Sequence, residues 1–150
     1  MPDIFTILLV EDDGSVASTV KDNIEEQCEN VRVEIEPSLG NAVESLKRIK
    51  PDAVVLDLIE GPLTGGDMAG NLGWREIWNH RFVPLVVYTA SANETEPPLP
   101  EGHPFVVRIA KGDASSVNQV VSKMNEYLPY MKSVRNITDT MTQDVHRVLT

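Results

Sequence analysis

A chain of 150 residues with 23 acidic and 13 basic side chains carries a formal charge of −10. That balance argues against a nucleic-acid surface, because neutralising phosphates takes clustered Lys and Arg. An apolar fraction of 41% fills the core of one ordinary domain, and no apolar run approaches the ~20 residues of a membrane-spanning helix.

Ile4 to Val10 is a continuous apolar run and reads as a buried strand. The stretch before it has no basic region or cleavage site, so it does not read as a signal peptide. Ser15 to Cys28 follows as a helix with Val16, Val20 and Ile24 on one stripe. Cys28 is the single cysteine, which excludes an internal disulfide and fits a cytoplasmic location. Val31 to Glu36 alternates as a more exposed strand. Ser38 then offers an N-cap for a helix carrying Ala42, Val43, Leu46 and Ile49. Pro51-Asp52 turns the chain into the strand Ala53 to Leu58.

Glu60 to Gly73 holds five glycines and Pro62, and reads as a flexible loop before a helix around Trp74 to Trp78. Leu85 to Thr89 is the fourth strand. Prolines 97, 98, 100 and 104 fall between Ser91 and Pro104, so that window is expected to be extended rather than helical. Phe105 to Ala110 is the fifth strand. Asp113 suits the N-cap of a helix running to about Leu128, and Pro129 is expected to separate it from a last segment, Tyr130 to Leu149. There Val134, Ile137, Met141, Val145 and Val148 recur at steps of three and four. This narrow stripe reads as a seam for a second chain or a connecting helix, with packing on its own domain as the alternative. The alternation of strand and helix favours a doubly wound parallel sheet of the α/β class.

Four strands end on residues suited to phosphoryl chemistry: Glu11-Asp12-Asp13, Asp57, Thr89 and Lys111. In an open α/β sheet the carboxyl ends of the strands border the ligand crevice. Carboxylates gathered there repel one another and call for a cation. His80, His103 and His146 are scattered without ligand spacing, so the metal is expected to be a hard one held by oxygen. Each residue also has a plainer reading. Asp12 and Asp13 suit helix capping, Lys111 a solvated surface, and Thr89 a strand-end hydroxyl. Asp57 is the hardest to explain that way, because a carboxylate ending an apolar central strand is costly without a partner.

ILLVEDD, PDAVVLDL, PLVVYTAS and a lysine closing the fifth strand, in that order, resemble the receiver domain of bacterial two-component response regulators. The resemblance covers roughly residues 3 to 128, with 44 residues from Asp13 to Asp57 and 22 from Thr89 to Lys111. It implies a flavodoxin-like five-stranded parallel sheet in the order 2-1-3-4-5 and a receiver domain over 1–128, to which the apolar stripe adds an amphipathic helix over 129–150. It further implies a domain that accepts a phosphoryl group on Asp57, catalysing its own modification rather than acting as a dedicated enzyme. Mg2+ would be held by Asp13 and Asp57 directly, by Asp12 directly or through water, and by the Ile59 carbonyl. Thr89 would accept a phosphoryl oxygen and Lys111 would pair with Asp57 or its phosphoryl group. The implied partners are a histidine kinase or phosphotransfer protein upstream and a protein effector downstream; the charge balance and the lack of an apolar span point away from DNA and membrane, and the C-terminal stripe offers a homodimer seam through 130–149.

Four departures bear on how such a domain would signal. Lys111 is followed by Gly112 where the family has proline, and Arg108 stands where it has an aromatic three residues before the lysine. The Pro-rich window replaces the fourth helix, and Glu60-Gly61 replaces a Met-Pro turn. Ile59, two residues after the acceptor, is poorly suited to orient a hydrolytic water, which predicts slow loss of the phosphoryl group. These departures also suit a pseudo-receiver, a module for interaction or dimerisation that has lost phosphorylation. Two other readings fit poorly. A haloacid-dehalogenase-type phosphatase needs a second Asp where Ile59 stands, and a flavodoxin-like cofactor site would be repelled by Glu11-Asp12-Asp13.

Overall fold

Every residue of the strand Ala53–Leu56 is apolar and buried, as expected of a strand covered on both faces. The computed structural model describes residues 4–57, 74–89, 102–112 and 114–149. In them β1 (Phe5–Val10), β2 (Val31–Glu36), β3 (Ala53–Leu56), β4 (Leu85–Thr89) and β5 (Val106–Ala110) form one sheet in the order β2-β1-β3-β4-β5. All four pairings are parallel, and Val10 stands level with Leu56, as Thr89 does with Ala110. The expected α/β class, strand order and C-terminal helix are all present.

Alternate residues along each strand face opposite layers. Ile7, Leu9, Val55, Val86, Tyr88 and Ile109 pack with α1 (Gly14–Gln27) and the last helix, α4 (Ala114–Leu149). Leu8, Val10, Val54, Leu56, Leu85 and Val87 pack with α2 (Ala42–Ile49) and α3 (Trp74–His80). Both faces of the sheet are therefore covered, which directs polar strand ends to the rim.

Two local expectations change. Ser38 does not cap α2; a short 3-10 turn, Leu39–Asn41, intervenes, and the Ser38 N–H donates to Glu36 Oε2 at 2.9 Å. Pro129 does not end the helix before it, because α4 runs unbroken through it for 36 residues, roughly 54 Å. Tertiary contacts on either side outweigh the lost hydrogen bond. Tyr127 and Met131 are buried against the sheet. Arg135 clasps Asp52 with two of its guanidinium nitrogens, Nε to Oδ1 at 2.7 Å and Nη2 to Oδ2 at 2.6 Å. Its guanidinium also reaches the Ile4 carbonyl at 3.1 Å and lies 4.8 Å from the Phe5 ring centroid. The segment after Pro129 thus packs on its own domain through Arg135, whereas Ile137 and Met141 are 60% and 63% exposed.

The expected loop over 60–73, the Ile59 carbonyl, the Asp113 cap and all but the last three residues of the extended window from Ser91 to Pro104 lie outside the described residues. No helix among the described residues is long and apolar enough to cross a membrane.

Candidate functional site

The carboxyl ends of β1, β3 and β5 bring three of the expected groups together. Asp57 directly follows β3, its N–H donating to the Val10 carbonyl at 3.0 Å, and it is only 3% exposed. Lys111 directly follows β5, and its Nζ donates to Asp57 Oδ2 at 2.8 Å. The same ammonium lies 2.5 Å from Glu11 Oε1. Burial alone would lower the Lys111 ammonium, but its bonds to Asp57 and Glu11 outweigh that and raise it.

Glu11 is the first residue past β1, 2% exposed, with its N–H still in the ladder to the Glu36 carbonyl at 3.1 Å. Burial pushes its carboxyl up to about 7 against the pull of Lys111, and the charge of Asp57 adds to the rise. Glu11, Asp12 and Asp57 each place a carboxylate oxygen within 4.8 Å of the others. Three hard oxygen donors at that spacing fit Mg2+ or a similar divalent ion, which takes a few carboxylates and keeps waters for the rest.

The expected metal set was Asp12, Asp13 and Asp57 with the Ile59 carbonyl, and here the acid trio is shifted by one residue. Asp13 is the N-cap of α1: its Oδ1 accepts from Ser15 N–H at 3.0 Å, Ser15 Oγ at 2.9 Å and Val16 N–H at 3.2 Å. The Ser15 hydroxyl, then the Val16 and Ser15 amides, hold its carboxyl below the usual range. Glu11 takes the third place. Its N–H still belongs to the strand ladder and its Oε2 accepts from the Asp13 N–H at 3.2 Å, whereas the Asp13 carboxylate is committed to capping the helix. Gly14-Ser15 after Asp13 was the signal available, since a capping carboxylate precedes the first turn and bonds amides two and three residues on.

Thr89 ends β4 opposite Ala110, which places its backbone at the same rim. Arg108, in the middle of β5, is exposed. An aromatic ring does approach the lysine, from another strand: Tyr88 lies with its centroid 5.8 Å from Lys111 Nζ.

No family model matches the sequence, and comparison with curated proteins finds no match. Solved structures do match over nearly the whole chain. The signal receiver domain of a putative Luxo repressor protein from Vibrio parahaemolyticus is similar at TM-score 0.60 and 18% identity, covering 89% of this chain and 97% of that one. The response regulator domain of Thermotoga maritima CheB gives TM-score 0.55 and 20% identity, with 89% of this chain and 97% of that one covered. A CheY-like receiver domain from Methylobacillus flagellatus gives 0.56 and 17%, over 80% of this chain and 98% of that one. At these identities the likeness establishes the fold, and the chain has the fold of response-regulator receiver domains.

Proposed function

We propose that the chain is a phosphorylatable receiver that accepts a phosphoryl group on Asp57 with a divalent cation, Mg2+ in the cell, and regulates a protein partner. The observation that carries this reading is the meeting of Lys111 Nζ with Asp57 Oδ2 at 2.8 Å, beside the oxygens of Glu11 and Asp12. Glu11, Asp12 and Asp57 would hold the cation, which supplies positive charge to the carboxylates and to the oxygens of the transferring group. Asp57 attacks phosphorus through a carboxylate oxygen, and the bond to the donor breaks as the new one forms. Lys111, within reach of that oxygen, pairs with the negative charge spread over the phosphoryl group. Thr89, at the end of the next strand, is the proposed hydroxyl partner. A histidine kinase or phosphotransfer protein is the proposed donor, and a protein effector the recipient of the signal.

One observation favours a second reading, a pseudo-receiver. The ammonium of Lys111 pairs with both Glu11 and Asp57, so the acids are partly neutralised without any cation. Titration with Mg2+ and beryllofluoride separates the two, followed by fluorescence of Trp74 and Trp78 in α3. The first reading expects a saturable, Mg2+-dependent response that Asp57→Asn abolishes. A response unchanged by Asp57→Asn, or no response, leaves the pseudo-receiver.

A further inference from the structure

Tyr88 is a buried aromatic with a polar end, and its surroundings join two parts of the molecule. Its ring faces the layer of α1 and α4 from β4, packed among Val120, Val121 and Met124. It is 3% exposed, so the ring lies within the core rather than at the surface. Its hydroxyl lies 2.7 Å from Ser116 Oγ, in the first turn of α4, and Ser116 is itself 4% exposed. A buried hydroxyl left without a partner costs more than the bond contributes, so this pair resists separation. Over the ring face stands the Lys111 ammonium, within the range at which a cation is attracted to an aromatic quadrupole.

Lys111 thus has two kinds of partner. Asp57 and Glu11 bind its ammonium as ion pairs, and the Tyr88 ring adds an aromatic neighbour 5.8 Å away. The ring is fixed in turn to the start of α4. The position where a receiver would carry its moving aromatic is Arg108, which is exposed and gives no such link.

We propose that Tyr88 is a positioning residue that aims Lys111 at Asp57 and ties the ammonium to helix α4 through Ser116. A shift of Lys111 on its acid side is passed to the first turn of α4 by a ring that stays in place. The swinging aromatic is replaced by a fixed one. In its role as a signalling path this rests on the proposed function, but the link itself does not, and the test separates them.

Amide NMR of the full chain reads the link without any ligand. Lys111→Met is expected to shift the amides of Ser115, Ser116 and Val117, and in the Tyr88→Phe background those shifts fall by about half or more. Tyr88→Phe keeps the ring and leaves the ring-current shift on the Lys111 side chain, whereas Tyr88→Leu removes it; a packing role alone would not divide the two readouts. Ser116→Ala breaks the same bond from the other side and serves if a Tyr88 variant fails to fold. Equal Lys111→Met shifts in all backgrounds overturn the proposal. A parallel arm adds Mg2+ and beryllofluoride. If wild type forms no adduct, the receiver reading fails while the Lys111→Met cycle still decides the link. If the adduct forms and the helix shifts survive Tyr88→Phe intact, the signalling role of Tyr88 is overturned.

Discussion

Glu11 and Asp13, two residues apart in one acidic run, have opposite fates. Asp13 spends its oxygen on the amides of α1, in water. Glu11 is buried beside Lys111 and Asp57, and its carboxyl is raised from 4.5 to about 7. A raised acid binds more protons folded than unfolded across that interval, so its contribution to stability is full below 4.5 and lost as pH rises through about 7. Urea midpoints of the cation-free protein should therefore decline over that interval relative to Glu11→Gln; parallel curves would remove Glu11 from the account. A divalent cation at the trio competes with this proton, so Mg2+ affinity should rise with pH over the same interval, as calorimetry can read. Glu11→Gln and Asp12→Asn are each expected to weaken Mg2+ on the order of tenfold or more, about 1.4 kcal/mol. Asp13→Asn should leave affinity in place, and Asp13→Ala should lower thermal stability without touching it. That an acid cluster ends β1 was legible from ILLVEDD. Which acid enters the site was not, because three consecutive carboxylates look alike until the last ladder bond and the first helical residue are fixed.

Helix α4 shows a local rule overruled at the scale of an element. An interior proline removes one backbone bond and clashes with the carbonyl four residues before it, at a cost of about 3 kcal/mol. Pro129 read as a boundary for that reason. The stripe past it nevertheless correctly indicated helix, because steps of three and four keep one face aligned. What the sequence did not reveal is the partner of Arg135: Asp52 is 83 residues away and precedes β3 at the other end of the sheet from the acids. Pro129→Ala should stabilise the protein by up to about 3 kcal/mol in denaturant unfolding. Arg135→Ala should cost about 3 kcal/mol, since it leaves the buried Asp52 carboxylate short of its cation. That loss should come without a change in Mg2+ affinity, because the clamp and the acid trio lie at opposite ends of β3.

Across the whole molecule, the order β2-β1-β3-β4-β5 brings β1, β3 and β5 to one rim and sends the Asp52–Arg135 clamp to the other. The alternating apolar strands and helices made the sheet legible, since among the described residues β1, β2 and β5 are each followed by a helix that packs on the sheet. The exposed pair Ile137 and Met141 continues the stripe beyond the clamp, beside a groove of ≈ 240 Å3 lined by Phe82, Phe105, Tyr130 and Val134. Residues 130 to 150 carry Lys132, Arg135 and Arg147 against Asp139 and Asp144, a net charge of +1 in a chain of −10 overall, so two such helices can meet without strong repulsion. If a second copy occupies the stripe, sedimentation shows a dimer that Met141→Asp with Ile137→Asp disperses; a monomer at every concentration removes the homodimer.

The proposed function turns on whether Asp57 accepts a phosphoryl group beside Glu11, Asp12 and Lys111. Intact mass after incubation with acetyl phosphate tests it most directly. The expected result is a gain of one phosphoryl group in the presence of Mg2+, absent when Mg2+ is chelated and absent in Asp57→Asn. An unchanged mass in wild type, or the same gain in Asp57→Asn, would contradict it.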